Sequence, residues 1–184
     1  MKPVQRSELV DYQTYRDHRE QTRPAVLEAK AARRIHVGPN LTFLFENRDT
    51  VRYQVQEMML TERIVREADI QHELETYNEL LGADGELGAT LLIEIETPAE
   101  RDEKLRRWLD LPKCIYAKLA DGTKVRPTFD PRQISDGRLS SVHYIRFPLK
   151  GQTPVALGCD LPEISVETAL SEAQRAALEA DLRS

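Results

Sequence analysis

The chain of 184 residues is poor in the features that stabilise small or secreted proteins, with two cysteines, one tryptophan and eight glycines. Cys114 and Cys159 stand alone and match no ligand spacing, so they make neither a disulfide framework nor a zinc site. No stretch approaches the roughly 18 apolar residues that a membrane-spanning helix needs. The segment Met1-Lys2-Pro3-Val4-Gln5-Arg6 has no apolar run suited to a secretory signal, and the expectation is a cytoplasmic protein. A Walker pattern, Gly-x-Gly-x-x-Gly, Gly-x-Ser-x-Gly and Glu-x-x-His are all missing. These absences disfavour nucleotide-driven chemistry, serine-elbow hydrolysis and a helical-bundle di-metal site.

What is present fits an ordinary globular domain. The chain is 40% hydrophobic and 31% charged, and its length allows burial of roughly 70% of the unfolded surface without a staple. The net charge of −5 is unevenly spread. Residues 1–37 carry eight Lys/Arg against five Asp/Glu, residues 38–110 eight against seventeen, and the rest is close to neutral. An acidic middle argues against nucleic acid as a partner, because phosphate neutralisation needs basic surface.

Periodicity predicts a helix opened by Ser7 and ending near Glu20, then a second from Ala25 to Ala32, since Pro24 disfavours helix at Arg23. Strands are expected at Arg33–Val37 and Leu41–Phe45 around Gly38-Pro39-Asn40, then helices at Asp49–Arg66 and Glu67–Leu81. Ala89–Glu96 fits a fully paired central strand, and Thr97-Pro98 starts a helix through Leu105 and Trp108. Cys114–Leu119 and Thr123–Phe129 flank an Asp121-Gly122 turn, followed by a loop over 131–140. Val142–Leu149 and Val155–Cys159 are further strands, and Ser171 caps a last helix through Leu182. There is no βαβ rhythm, so the class is α+β. One domain spans 1–184, with a helical segment at 1–32, a mostly antiparallel core at 33–160 and a C-terminal helix within 161–184.

The Asp49–Arg66 helix carries two opposed apolar stripes at about 100° per residue, Val51, Val55, Met58 and Val65 against Tyr53, Leu60 and Ile64. A helix covered on both sides motivates a homo-oligomer. Glu62 falls inside the first stripe and Glu57 beside the second, about 140° apart, so they do not share a site. Glu62 has three readings: a bridge to Arg66, a buried partner for Arg34 or Arg146, or a perturbed acid in a cleft. His143 shares a strand face with Ile145 and Phe147; such a histidine is a general base, a ligand, or more commonly a satisfied core residue. Catalytic candidates are therefore Glu57, Glu62, His143 and Arg146, with Arg52, Tyr53 and Arg34 as binding residues. The only metal grouping in view is Glu62 with Asp69 and His72, and no cofactor is expected.

Three blocks carry a family resemblance. They are Arg33-Arg34-Ile35-His36-Val37-Gly38-Pro39, Leu41-Thr42-Phe43-Leu44-Phe45-Glu46-Asn47 and Thr50-Val51-Arg52-Tyr53-Gln54-Val55-Gln56-Glu57-Met58. With Ala89–Glu94 and Val142–Phe147 in the same order, the chain resembles the bacterial domain of unknown function 3501 family from about Tyr15 to Asp160. That family brings no assigned catalytic residue. The resemblance implies a neighbourhood of rubrerythrin-like proteins and iron–sulfur oxidoreductases, and hence a redox or peroxide-stress role as accessory protein or enzyme. It also implies a His-Pro pair after the last strand's aspartate, where this chain has Asp160-Leu161-Pro162. The expected functions are thus a redox accessory protein, a small enzyme or small-molecule binder with a buried Glu/Arg/His site, and last a metal protein.

Overall fold

A computed structural model describes residues 1–184. Asp11 opens helix α1 (Tyr12–Ala31) by accepting from the Gln13 and Thr14 amides, the arrangement expected of an N-cap aspartate. This one helix replaces the two expected on either side of Pro24. The proline ring removes the amide that would meet the Glu20 carbonyl, but both residues are exposed, so the freed carbonyl is not stranded in the core and the helix continues. Asn47 caps α2 (Arg48–Glu62), which ends where Arg63 turns left-handed at φ 52°. Helices α3 (Glu67–Asn78), α4 (Pro98–Arg107), the short α5 (Leu111–Cys114) and α6 (Glu172–Leu182) follow, the last capped by Ser171 as the sequence predicts.

Two antiparallel sheets and a small hairpin make up the rest. The larger sheet runs β1-β2-β3-β9-β6, from Arg34–Val37, Leu41–Phe45, Leu87–Ile93, Val142–Phe147 and Thr128–Phe129. The smaller runs β11-β10-β4-β5, from Val166–Ala169, Ala156–Cys159, Ile115–Lys118 and Lys124–Val125. β7 (Ile134–Ser135) and β8 (Arg138–Leu139) pair inside the segment expected to be loop. β3 occupies the centre of the larger sheet, as its apolar run requires. The single strand expected over 123–129 is split by Arg126-Pro127, so that β5 stays in one sheet and β6 crosses to the other. One face of the larger sheet, through Ile35, Phe43, Leu91 and Phe147, joins the smaller sheet, α4 and α6 in a core of 25 buried residues. The chain is a single α+β domain.

The opposite face of that sheet is covered in part by α1, α2 and α3. α2 buries Val51, Val55 and Met59 against Val4, Leu9, Ile70, Leu74 and Leu81. Its second stripe is half-buried, with Tyr53 beneath the Lys30 ammonium of α1. Both sides are therefore covered within one chain, and the motive for an oligomer is met intramolecularly. Glu62 is a correction. The helix stops at it, Met59 rather than Met58 closes the stripe, and Glu62 is exposed, as is Val65.

Candidate functional site

Strand alternation sends Leu44 and Glu46 away from the Phe43 and Phe45 core side, onto the face shared with the helices. The pairing register then builds two rows across the sheet. Arg34, Leu44, Thr90 and Tyr144 are opposed in succession over β1, β2, β3 and β9. In the next row, the Glu46 amide donates to the Gly88 carbonyl, Gly88 opposes Arg146, and Arg146 opposes Thr128. The turn that follows α3 lies above these rows. A Cβ at Gly88 would come 1.8 Å from the Leu80 carbonyl oxygen, so the absence of a side chain there lets Leu80 settle on the sheet.

Because three helices cannot cover the whole face, two adjoining clefts of about 640 and 520 Å³ remain, sharing Tyr77, Leu80 and Tyr144. The larger is walled by Leu27, Lys30 and Ala31 of α1, by Gln54 of α2, and by the row from Arg34 to Tyr144. Tyr144 is 54% exposed, an aromatic left in solvent on a half-covered sheet. At the other end Arg146 donates to the Glu79 carbonyl at 2.6 Å.

The cations of the larger cleft differ in how they are committed. Arg33 is fully occupied: its Nε and Nη2 donate to Asp181 at 2.7 and 2.8 Å, and its Nη1 to the Ala29 carbonyl. Arg34 is held loosely by Glu94 at 3.5 Å. Lys30 forms no ion pair and lies 5.0 Å from the Tyr53 ring centroid. Glu46 is the carboxylate among them. Burial pushes its pKa above the usual carboxylate range, while the Thr50 hydroxyl, donating at 2.5 Å, and the charges of Lys30 and Arg33 pull in the opposite direction without prevailing.

Few of the residues expected at the site meet there. Arg34 and Arg146 line the clefts and Tyr53 lies under Lys30. Arg52 is a surface residue paired with Asp49 at 2.9 Å. Glu57 belongs to a separate lock between α1 and α2. Arg19 grips it with two hydrogen bonds of 2.7 and 2.9 Å, Tyr15 adds one at 2.6 Å, and the Arg19 hydrogen bonds lead in lowering its pKa. His143 lies on the opposite, core side of the sheet, so it cannot share a site with Arg146. It is buried among core side chains, with a backbone group of Ser140 beside the ring. Glu62, Asp69 and His72 are all exposed, and no three His, Cys, Asp or Glu side chains gather in a way that could hold a metal ion.

Lys30 belongs to an N-terminal basic set that the sequence offers as an anion site or as solvated helix faces, whereas Glu46, Tyr77 and Tyr144 are not among the expected site residues. Glu46 was within reach, since strand alternation alone separates it from Phe43 and Phe45. Both thiols are poor nucleophiles, as burial raises the pKa of Cys114 and of Cys159.

A family model described as a protein of unknown function, DUF3501, matches residues 3–182. A crystal structure of a novel protein of unknown function from Burkholderia pseudomallei K96243 is similar over 98% of this chain and 100% of its own, at 30% identity and a TM-score of 0.88. No curated protein matches.

Proposed function

The chain belongs to the DUF3501 family, a family of unknown function, and from its own residues we propose that it binds a small organic acid in the cleft between α1 and the sheet. The observation that carries this reading is the uncommitted Lys30 ammonium on the wall of a cleft lined by Tyr77, Leu80 and Tyr144. A concave site with an apolar and aromatic lining and a few convergent polar groups is the usual form of a small-molecule site. An ammonium without a carboxylate partner, held beside such a lining, recognises an anion joined to a flat or apolar body. Arg34, loosely held by Glu94, is placed to turn to the same anion.

The experiment is a thermal-shift comparison of small aromatic and aliphatic carboxylates with their neutral amides, since a ligand that binds only the folded state raises Tm by mass action. Acids are expected to raise Tm where the matching amides do not. Lys30→Met and Tyr144→Ala are each expected to weaken binding by about tenfold, the loss of one charge-assisted hydrogen bond or one aromatic contact. Equal shifts with acids and amides, or variants that bind like the parent, would remove the reading. A second role, as an accessory protein for a rubrerythrin-like or iron–sulfur partner in redox stress, rests on the family resemblance alone, and the raised thiol pKa values lend it no chemistry.

A further inference from the structure

We propose that Glu46 takes up one proton when the organic acid binds, so that the cleft captures its ligand together with that proton and holds it more tightly as the pH falls. The inference rests on the cleft reading above and adds its regulation. Glu46 lines the same wall as Lys30 and Arg34. Its Oε2 accepts from the Thr50 hydroxyl, and Oε1 has no partner in the protein. The charged and titratable groups around it come from six elements. They are Lys30 of α1, Arg34 of β1 with Arg33 just before it, Tyr53 of α2, Tyr77 of α3, Tyr144 of β9, and Asp181 of α6, which Arg33 holds.

Charge balance then decides the outcome. Arg33 is neutralised by Asp181 and Arg34 is shared with Glu94, which leaves Lys30 as the cation of this cleft with no ion pair. A ligand carboxylate brought to Lys30 competes with an ionised Glu46 for it. Two carboxylates sharing one site cannot both stay ionised, and the more buried of the two keeps the proton. Burial already biases Glu46 toward its neutral form. Neutral Glu46 also gains a donor, which the incoming anion can accept from.

The sign of the effect follows from linkage. Below the pKa of Glu46 in the free protein, binding takes up no proton and affinity is flat. Above it, affinity falls, approaching tenfold per pH unit where a full proton is taken up, until the pKa of the complex is passed. Benzenesulfonate, whose charge is constant between about pH 5 and 8, serves as probe beside benzoate.

Titration calorimetry of the unaltered protein, in two buffers of different ionisation heat, counts the protons directly. Net proton uptake is expected for both probes at pH values above the pKa of Glu46 in the free protein and below its pKa in the complex. Glu46→Gln is expected to bind with a flat pH profile, and more tightly than the parent at the alkaline end. Binding without proton uptake, or a pH profile unchanged in Glu46→Gln, would overturn this inference and leave the cleft standing. Failure of both probes to bind at any pH would overturn it together with the cleft reading.

Discussion

His143 shows how much one residue's surroundings decide. It is fully buried on the core face of β9, opposite Leu91, with a backbone group of Ser140 beside its ring. Strand alternation placed it correctly with Ile145 and Phe147, because that inference needs only a period of two. Whether a partner would meet it depended on what other segments bring, which no local pattern carries. Burial lowers its pKa from the ordinary 6.5, with a nearby backbone group of Ser140 opposing more weakly. A base whose folded pKa is depressed adds no penalty above its unfolded value. As the pH falls through 6.5 the unfolded chain takes a proton that the native state refuses, and stability declines by at most about 1.4 kcal/mol per pH unit until the folded pKa is reached. His143→Met keeps the volume and removes a buried titratable ring. Equal or greater stability at pH 7 and a shallower loss between pH 6.5 and 5 are expected in urea titrations. A variant that is several kcal/mol weaker at pH 7 would show that the imidazole's hydrogen bond to the backbone matters more than its desolvation.

At the scale of elements, the sequence was legible wherever a pattern is local. The hairpin around Gly38-Pro39-Asn40, the apolar run of β3 and the Ser171 cap all follow from neighbours within a few residues. Three boundaries were not legible. Pro24 lies on an exposed turn and so does not end α1; Arg63 adopts a left-handed turn that ends α2 early; and Pro127 moves the chain from one sheet to the other. Each outcome depends on which side of the element meets solvent or a second sheet. The seating of the turn after α3 on β3 is of the same kind, since local pattern around Gly88 does not announce the Leu80 carbonyl above it. Gly88→Ala places a methyl against rigid backbone rather than a flexible side chain, and a loss of about 3 kcal/mol is expected, at the upper end for overpacking. If the cleft binds its ligand through this packing, affinity falls with it. An unchanged Tm would mean that α3 is free to lift from the sheet.

Over the whole molecule, the closure of the chain depends on a pair that no sequence window contains. Arg33, just before β1, and Asp181, near the end of α6, are 148 residues apart, both buried, and joined by two hydrogen bonds. Asn47 adds a third contact to Asp181 at 3.2 Å, so the C-terminal helix is tied both to the first strand and to the cap of α2. The sequence singled out Arg34 instead, because alternation cannot rank two adjacent arginines without knowing where α6 lands. The same distance problem hid the cleft, whose walls come from α1, α2, α3 and four strands, whereas Glu57 and Glu62 stood out only as charges on one helix. The pair also keeps Arg33 from competing for a ligand, leaving Lys30 as the cation of the cleft with no ion pair. Asp181→Ala strands a buried guanidinium and is expected to cost about 3–5 kcal/mol, seen as a lower urea midpoint at unchanged slope. Replacing both partners at once, Arg33→Met with Asp181→Leu, removes the charge rather than stranding it and is expected to recover most of that loss. A double variant as unstable as the single one would show that α6 needs the hydrogen bonds themselves, and that apolar packing cannot close the chain in their place.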